Sequence, residues 1–383
     1  MIARAGEDAP GAPGCLPNAS QKMLLRAACN PEGDGQAAWQ RWRASHEIVH
    51  ADPAARRLLP WIYLQRELLK LSGEDCVETG QIYRFVWFRN QRLLNAAEQA
   101  VAALRKEGME PFLLKGVPLL LEAYQDEGGR YLSDFDLLIR AVEIQPAVAA
   151  LARLKWKAQV PEVFCRRVFN LRHSEEFVDG SGLSCDLHWR LFRARHAPVP
   201  LEWIDDDART LSFRCGAVRV PSVEHSLLLL CVHGMSWENV PPIRWILDFC
   251  LLLRRHAVDW DHFIQEAERF AVALPVSEAL ATFHEIEPEA VPDYVRERLA
   301  RTRTHESRRV AYQKMVQPYA SASLRMKWRW INEERQLAVA LGQVPPGVRG
   351  LLRHLCGKLG AKSVWQLPAS IGRRLMAQSG PHS

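Results

Sequence analysis

No hydrophobic run in this chain exceeds the six residues from Leu227 to Val232, far short of the ~20 apolar residues that cross a bilayer as a helix. The first twenty residues, MIARAGEDAPGAPGCLPNAS, carry Glu7 and Asp8 and lack an apolar centre. They do not read as a secretory signal; they read as part of a disordered leader over residues 1–35. No Cys-x-x-Cys occurs among the nine cysteines, which argues against a structural zinc site. Their odd number and apolar neighbours fit reduced core thiols and a cytoplasmic location. Cys231 and Cys250, set in leucine-rich runs, read as packing residues. There is no internal repeat, and no low-complexity block beyond the leader. A broad basic surface is also missing. Residues 323–383 hold ten Lys/Arg against two acidic residues, so a chain of net charge +6 is close to −2 outside that tail. This argues against a polymerase that tracks a nucleic-acid backbone. The tail reads either as a solvated helical surface or as a contact for an anionic partner.

What the chain does have is concentrated in Leu113–Arg140, LLKGVPLLLEAYQDEGGRYLSDFDLLIR. Asp134 and Asp136 open the apolar run Leu137-Leu138-Ile139. In a strand, residues two apart share a face, so both carboxylates project together while Phe135 and Leu137 face a core. Such an oxygen-rich pair suits Mg²⁺ or Mn²⁺ carrying a phosphate chain. Read alone, Asp-x-Asp is as well explained by a solvated strand end.

The order strand, glycine turn (Lys115-Gly116), helix, basic residue (Arg130), then Ser133 and Asp-x-Asp resembles the nucleotidyltransferase fold of the polymerase-beta superfamily. The resemblance implies a phosphate-binding turn, two strand aspartates on metal and a third carboxylate from a later strand. Asp186 is the candidate for the third. It lies in RHSEEFVDGSGLSCDLHWRL (172–191), where Asp179-Gly180-Ser181-Gly182 signals a hairpin turn. The second run places Cys185, Leu187 and Trp189 on one face and Asp186 and His188 on the other. The blocks LLKG, R-x-x-S-D-F-D-L-L, C-D-L-H-W-R-L, LLLLCVHG and RWILDF resemble, in order, the uncharacterised nucleotidyltransferase family of bacteria, over roughly residues 35–300. One departure from the superfamily is the turn itself, Lys115-Gly116 in place of Gly-Ser or Gly-Gly. Lys115 reads either as phosphate-binding charge or as a structural lysine at a sheet edge.

The implied architecture is α+β: a small mixed-sheet nucleotidyltransferase core over 109–221, between a helical region at 36–108 and a helical domain at 222–341, with a basic tail at 342–383. A helix from about Tyr83 to Lys106 has apolar residues at helical spacing and Gly108 as its C′ residue; Gly73 and Gly80 read as breaks. Residues 342–350 (GQVPPGVRG) read as a linker.

The implied chemistry is in-line attack on the α-phosphorus of a nucleoside triphosphate, with ATP the default donor and two metals about 4 Å apart. Asp134, Asp136 and Asp186 are the implied metal ligands and catalytic residues. Lys115, Gly116, Arg130 and Ser133 are the implied phosphate contacts. His188 is either a partner to the carboxylates or a satisfied sheet histidine. His225 and His233 lie two helical turns apart; His233 is a candidate beside the site. Arg244 and Asp248 form an i,i+4 pair that reads as a surface ion pair or as a cleft lining. Trp245 and Phe249 read as core. Three classes compete: an active transferase modifying a small molecule or protein, with tRNA still open as acceptor; a non-catalytic nucleotide- or partner-binding module; and a metal-dependent phosphotransferase or phosphohydrolase.

Overall fold

The computed structural model describes residues 14–159, 172–192, 202–316 and parts of 328–366. Residues up to Gln159 and from His173 to Val316 form one compact unit. In the second unit the principal described element is the helix Gly347–Leu359. It begins inside the 342–350 stretch read as linker, and half of the basic tail, including residues 367–383, lies outside the described residues.

The first unit is built on a seven-stranded mixed sheet: β1 (Phe112–Leu114), β2 (Asp134–Leu138), β3 (Lys157–Ala158), β4 (Ser174–Val178), β5 (Ser184–His188), β6 (Arg209–Phe213) and β7 (Gly216–Val220), in the order β3-β4-β5-β2-β1-β7-β6. β2 runs parallel to β5 and β1 parallel to β7; the other neighbours are antiparallel. The β4–β5 hairpin closes where the sequence predicts. The Asp179 carboxylate accepts from the Ser181 and Leu183 amides at 2.8 and 2.9 Å, and Gly182 takes φ +77°, a left-handed turn conformation that glycine adopts without steric cost. Phe135 and Leu137 are fully buried, with Phe135 edge-on to Trp156 at 5.5 Å. The opposite face of β2 is left to the aspartates.

Helices enclose this sheet, and two departures from the sequence reading occur in them. Helix α1 (Ala19–Cys29) occupies part of the segment read as disordered leader, and helix α2 (Gly35–Arg43) opens the region read as helical; residues 1–13 lie outside the described ones. Composition hid the cause. Asn18 and Gln21 form a reciprocal capping box, Oδ1 accepting from the Gln21 amide at 2.9 Å and Oε1 from the Asn18 amide at 3.0 Å. Leu24 and Leu25 are then fully buried, each contributing about 1.5–3 kcal/mol. The second departure is at Gly80. Helix α3 (Gly73–Lys106) starts at Gly73 under a Ser72 cap and runs through Gly80 without a break. A Cβ at Gly80 would lie 3.0 Å from the Tyr63 ring, so this glycine serves close packing rather than a turn. The far end is as expected: Gly108 at φ +77° with Gly108 N–H to Arg105 O and Met109 N–H to Leu104 O, a Schellman closure.

Helices α4 (Ile144–Arg153), α5 (Val223–Gly234), α6 (Arg244–Arg255), α7 (Trp260–Arg269) and α8 (Ala273–His284) follow. Leu24, Trp42, Phe112, Leu138, Trp245 and Phe249 belong to one continuous core joining the N-terminal helices, the sheet and the C-terminal helices. Trp245 and Phe249 are thus core, as read. Helices α5 and α6 cross where Gly234 meets Trp245, and a Cβ there would fall 2.2 Å from the indole. Gly234→Ala is therefore expected to cost about 1–3 kcal/mol by overpacking. Urea denaturation checks this; unchanged stability would mean that the indole can move aside.

Candidate active site

Three neighbouring strands assemble the site. Asp136 on β2 pairs in register with Asp186 on β5, and Asp186 in turn faces Glu176 on β4. Parallel register at these positions puts the Asp136 and Asp186 side chains on one face, and Asp134 shares it because it lies two residues away. Asp136 is 3% exposed. Its Oδ1 accepts from Lys115 Nζ at 2.6 Å and lies 3.0 Å from His188 Nε2. His188 Nε2 is also 4.0 Å from Asp186 Oδ2. Ser133, expected to bind phosphate, has its hydroxyl on Asp134 Oδ1 at 3.0 Å.

The electrostatics follow from crowding. Burial and the adjacent Asp136 charge push Asp134 above its ordinary value. Burial, then Asp136, push Asp186 up to about 7. Burial opposes ionisation of Asp136 as well, but Lys115 and His188 outweigh it and hold that carboxyl well below the usual range. Burial, helped by the Lys115 charge, lowers His188 and favours its neutral ring. The cluster is thus one fixed anion, one fixed cation and two carboxyls that resist ionising together.

A stability consequence follows for the metal-free protein. Below about pH 4 the Asp186 carboxyl is neutral folded or unfolded. Between there and about pH 7 the unfolded chain releases the proton while the fold retains it, so stability falls as pH rises. Asp186→Asn, neutral throughout, is expected to be the more stable protein at pH 8 in a chelator, by on the order of 2 kcal/mol. The gap should close toward pH 4. Urea midpoints of both proteins at the two pH values measure it; a gap independent of pH would assign the effect to something other than this carboxyl.

Lys115 sits at φ 51°, ψ −109°, backbone that glycine favours and that costs another residue of order 1–3 kcal/mol. The strained turn aims its ammonium at Asp136. Burial alone would lower the Lys115 pKa, but the Asp136 charge and hydrogen bond overcome this and raise it. At Gly116 a Cβ would meet Leu132 Cδ2 at 2.9 Å and Arg130 Nη1 at 3.0 Å, so the turn packs directly on the segment leading into β2.

Arg130 departs from its reading as a phosphate clamp. It is 6% exposed, and its guanidinium is spent on Asp248: Nε to Oδ1 at 2.9 Å and Nη2 to Oδ2 at 2.8 Å. Tyr124 donates to the same Asp248 Oδ1 at 2.7 Å. Arg244 and Asp248 are not a surface pair either. Asp248 is 1% exposed, the Arg244 Nε–Asp248 Oδ2 separation is 3.9 Å, and Arg244 Nη1 donates to the Tyr131 carbonyl at 2.6 Å. The buried Arg244 Nε has no hydrogen-bond partner. These residues brace the segment before β2 from helix α6. The sequence reading also passed over Asn90, whose amide donates to the Glu127 and Arg130 carbonyls, both at 2.7 Å. A polar residue in the stripe Val86, Leu93, Ala97 of helix α3 was the available signal.

Beside Lys115 and His188 opens a small cleft of about 90 Å³ lined further by His173, Phe192, Leu229 and His233. His233 therefore faces the site region, while its helix neighbour His225 is turned away into a contact with Glu266.

Over residues 78–287, more than half of its 383 residues, the chain matches the family described as uncharacterised nucleotidyltransferase. The chain belongs to that family. A nucleotidyltransferase domain of the polymerase-beta type is thus present, and every carboxylate and basic residue just described falls inside the matched span. Among solved structures, an antigenic nucleotidyltransferase-like protein from Paracoccidioides brasiliensis aligns at 13% identity and TM-score 0.32, over 56% of this chain and 91% of that one. Among curated proteins none matches the chain.

A divalent ion fits this family member's donor set. Ligand atoms of Asp136, Asp186 and His188 lie within 4.8 Å of one another, and the raised Asp186 is the mark of negative charge lacking a partner. The group differs from the one expected: His188 is in it and Asp134 is not. Asp134 is turned to Ser133, and Lys115 fills one side of Asp136. No described helix is long and apolar enough to cross a membrane.

Proposed function

We propose that this chain is a metal-dependent nucleotidyltransferase, moving a nucleoside monophosphate from a nucleoside triphosphate to a hydroxyl or other nucleophile of a small molecule or protein, with release of pyrophosphate. The observation that carries the reading is the in-register Asp136–Asp186 pair on adjacent parallel strands, with Lys115 on the strand-to-helix turn against it. Asp136 and Asp186 would hold Mg²⁺ or Mn²⁺ with His188 beside them, and Asp134, on the same face of β2, would join them only by turning from Ser133. Bound there, the metal supplies charge neutralisation for the triphosphate and acidifies the attacking group.

The chain's own residues suit the remaining tasks. Asp186, in register with Asp136 on the neighbouring strand, is placed to accept the proton of the attacking hydroxyl. Lys115 Nζ, now on Asp136 Oδ1, would be the ammonium available to a phosphate oxygen once that carboxylate were engaged by a metal ion. Arg244, with one buried nitrogen unpaired, adds positive potential over Asp134. Arg130 acts one step back, holding the segment that positions Ser133 and Asp134. The cleft beside Lys115 and His188, walled by Phe192 and Leu229, offers an apolar seat for a base or an acceptor.

Product analysis tests the reading. Incubation with α-labelled triphosphates, Mg²⁺ and candidate acceptors should release pyrophosphate and leave label on the acceptor. Release of inorganic phosphate instead would favour the phosphohydrolase reading. Lys115 lying on Asp136 is what favours a non-catalytic module: an internal ammonium already occupies one side of the central carboxylate. Absence of any metal-dependent nucleotide binding would support that module over a transferase.

A further inference from the structure

His225 on helix α5 is 0% exposed, and its Nδ1 has no hydrogen-bond partner. Its other nitrogen, Nε2, lies 3.0 Å from Glu266 Oε2 on helix α7. An imidazole buried with one nitrogen on a carboxylate and the other left bare is costly unless something takes the bare lone pair. One helical turn before Glu266 stands His262, whose amide is capped by Asp259 Oδ1 at 2.9 Å. The His262 Nε2 lies 3.1 Å from Asp207 Oδ2, just ahead of β6. The two imidazole rings are 6.1 Å apart, centre to centre. Ligand atoms of Asp207, His225 and His262 all fall within 4.8 Å of one another.

We propose that Asp207, His225 and His262 hold one zinc-type divalent ion, at a site separate from the carboxylate cluster on β2 and β5. The donor set decides the class of ion. Two imidazoles and one carboxylate match zinc, cobalt or nickel, whereas magnesium and calcium take oxygen donors. Nε2 of His225 is engaged by Glu266, so Nδ1 is the nitrogen left for the metal. That gives the carboxylate–histidine–metal relay in which an outer carboxylate fixes the tautomer and orientation of the ligand. Arg269 in turn braces Glu266, Nη1 to Oε1 at 3.2 Å. Side-chain exposure of 30% at His262 and 43% at Asp207 leaves the fourth tetrahedral position open to water. Such an ion would tie helices α5 and α7 to the chain entering β6. Among the described residues a further ligand cluster outside the β2–β5 site, Cys29, Cys250 and Glu287, is less suited: burial holds the Cys29 thiol well above its ordinary value, against the thiolate a metal needs.

Co²⁺ alone, titrated into the chelator-stripped full chain, is the test. The expected result is one equivalent with the intense visible absorption of tetrahedral cobalt, counted apart from any weakly absorbing ion on the β2–β5 cluster. It should persist in Asp136→Asn/Asp186→Asn, which disarms the β2–β5 cluster. His262→Ala and Asp207→Ala are the decisive variants, because both side chains reach the surface and their loss leaves the buried His225–Glu266 contact in place. Each should lower Co²⁺ affinity at least about 100-fold, and Glu266→Gln about 10–100-fold. Uptake unchanged in His262→Ala, or abolished by Asp136→Asn/Asp186→Asn, overturns the proposal; so does wild-type protein that binds no Co²⁺ with tetrahedral absorption.

Discussion

Asp136→Asn is expected to lower metal-dependent triphosphate binding by about 100-fold or more, near 3 kcal/mol, while leaving the fold intact. Asp136 is where the site's interactions converge. It pairs with Asp186 across β2 and β5 and accepts from Lys115 Nζ at 2.6 Å; His188 Nε2 sits 3.0 Å away. Asparagine keeps the shape and a carbonyl oxygen for Lys115, so the pleat and the turn survive. The fixed negative charge does not, and with it goes the strongest attraction for a divalent ion. A second effect partly offsets the first: without Asp136 the repulsion that raises Asp186 is relieved, so that group is more fully ionised at neutral pH and keeps some attraction for the ion. Asp134→Asn should cost less, because Asp134 lies outside the group of ligand atoms that already converge. Calorimetric titration of the four ribonucleoside triphosphates, with and without Mg²⁺, separates the cases. Wild-type affinity in Asp136→Asn would refute the metal-site assignment; equal losses at Asp134 and Asp136 would mean that the bound ion draws Asp134 in.

Much of this was legible because it is local. Asp134 and Asp136 sit two apart in a strand with an apolar alternate face, and period two fixes their common direction. The Asp179–Gly182 turn sets the β4–β5 hairpin, and the alternation Cys185, Asp186, Leu187, His188 fixes which of its faces carries charge. The match between Asp136 and Asp186 is also a matter of strand pairing once the two strands are neighbours. What was not legible depends on partners distant in sequence. Arg130 reads as a free cation before an Asp-x-Asp strand; only the fold brings Asp248, 118 residues later, onto two of its three guanidinium nitrogens. Lys115 likewise shows no sign, in sequence, of being aimed back at Asp136 by a left-handed backbone. Helix α1 was masked by a leader rich in Gly, Pro and Ala, although Asn18-x-x-Gln21 before Met23-Leu24-Leu25 is itself a capping signature.

The second large effect belongs to the brace. Asp248→Ala strands the Arg130 guanidinium, 6% exposed, with no carboxylate, and breaking a buried ion pair from one side costs about 3–5 kcal/mol. Arg130→Ala should cost a similar amount by leaving the buried Asp248 carboxylate without its guanidinium and with the Tyr124 hydroxyl as its remaining hydrogen-bond donor. Tyr124→Phe removes one hydrogen bond to a charged group, about 1.5–3 kcal/mol. The double variant Arg130→Met/Asp248→Leu should be less damaging than Asp248→Ala, because it strands no charge at Arg130, although Arg244 and the Tyr124 hydroxyl still lose Asp248. Urea denaturation of the cycle measures the coupling, and additive single losses would show that the pair is not a unit. The brace also bears on chemistry. Asn90 holds the Arg130 carbonyl, Arg89 donates to the Leu132 and Ser133 carbonyls, both at 3.1 Å, and Arg244 donates to that of Tyr131. Every residue from 130 to 133 is therefore pinned by a side chain from helix α3 or α6 immediately before Asp134. Asp248→Ala, assayed below its melting temperature, is expected to weaken triphosphate binding although Asp248 touches no ligand. A stability loss with wild-type triphosphate affinity would confine Asp248 to the core and leave the positioning of β2 to Asn90 and Arg89.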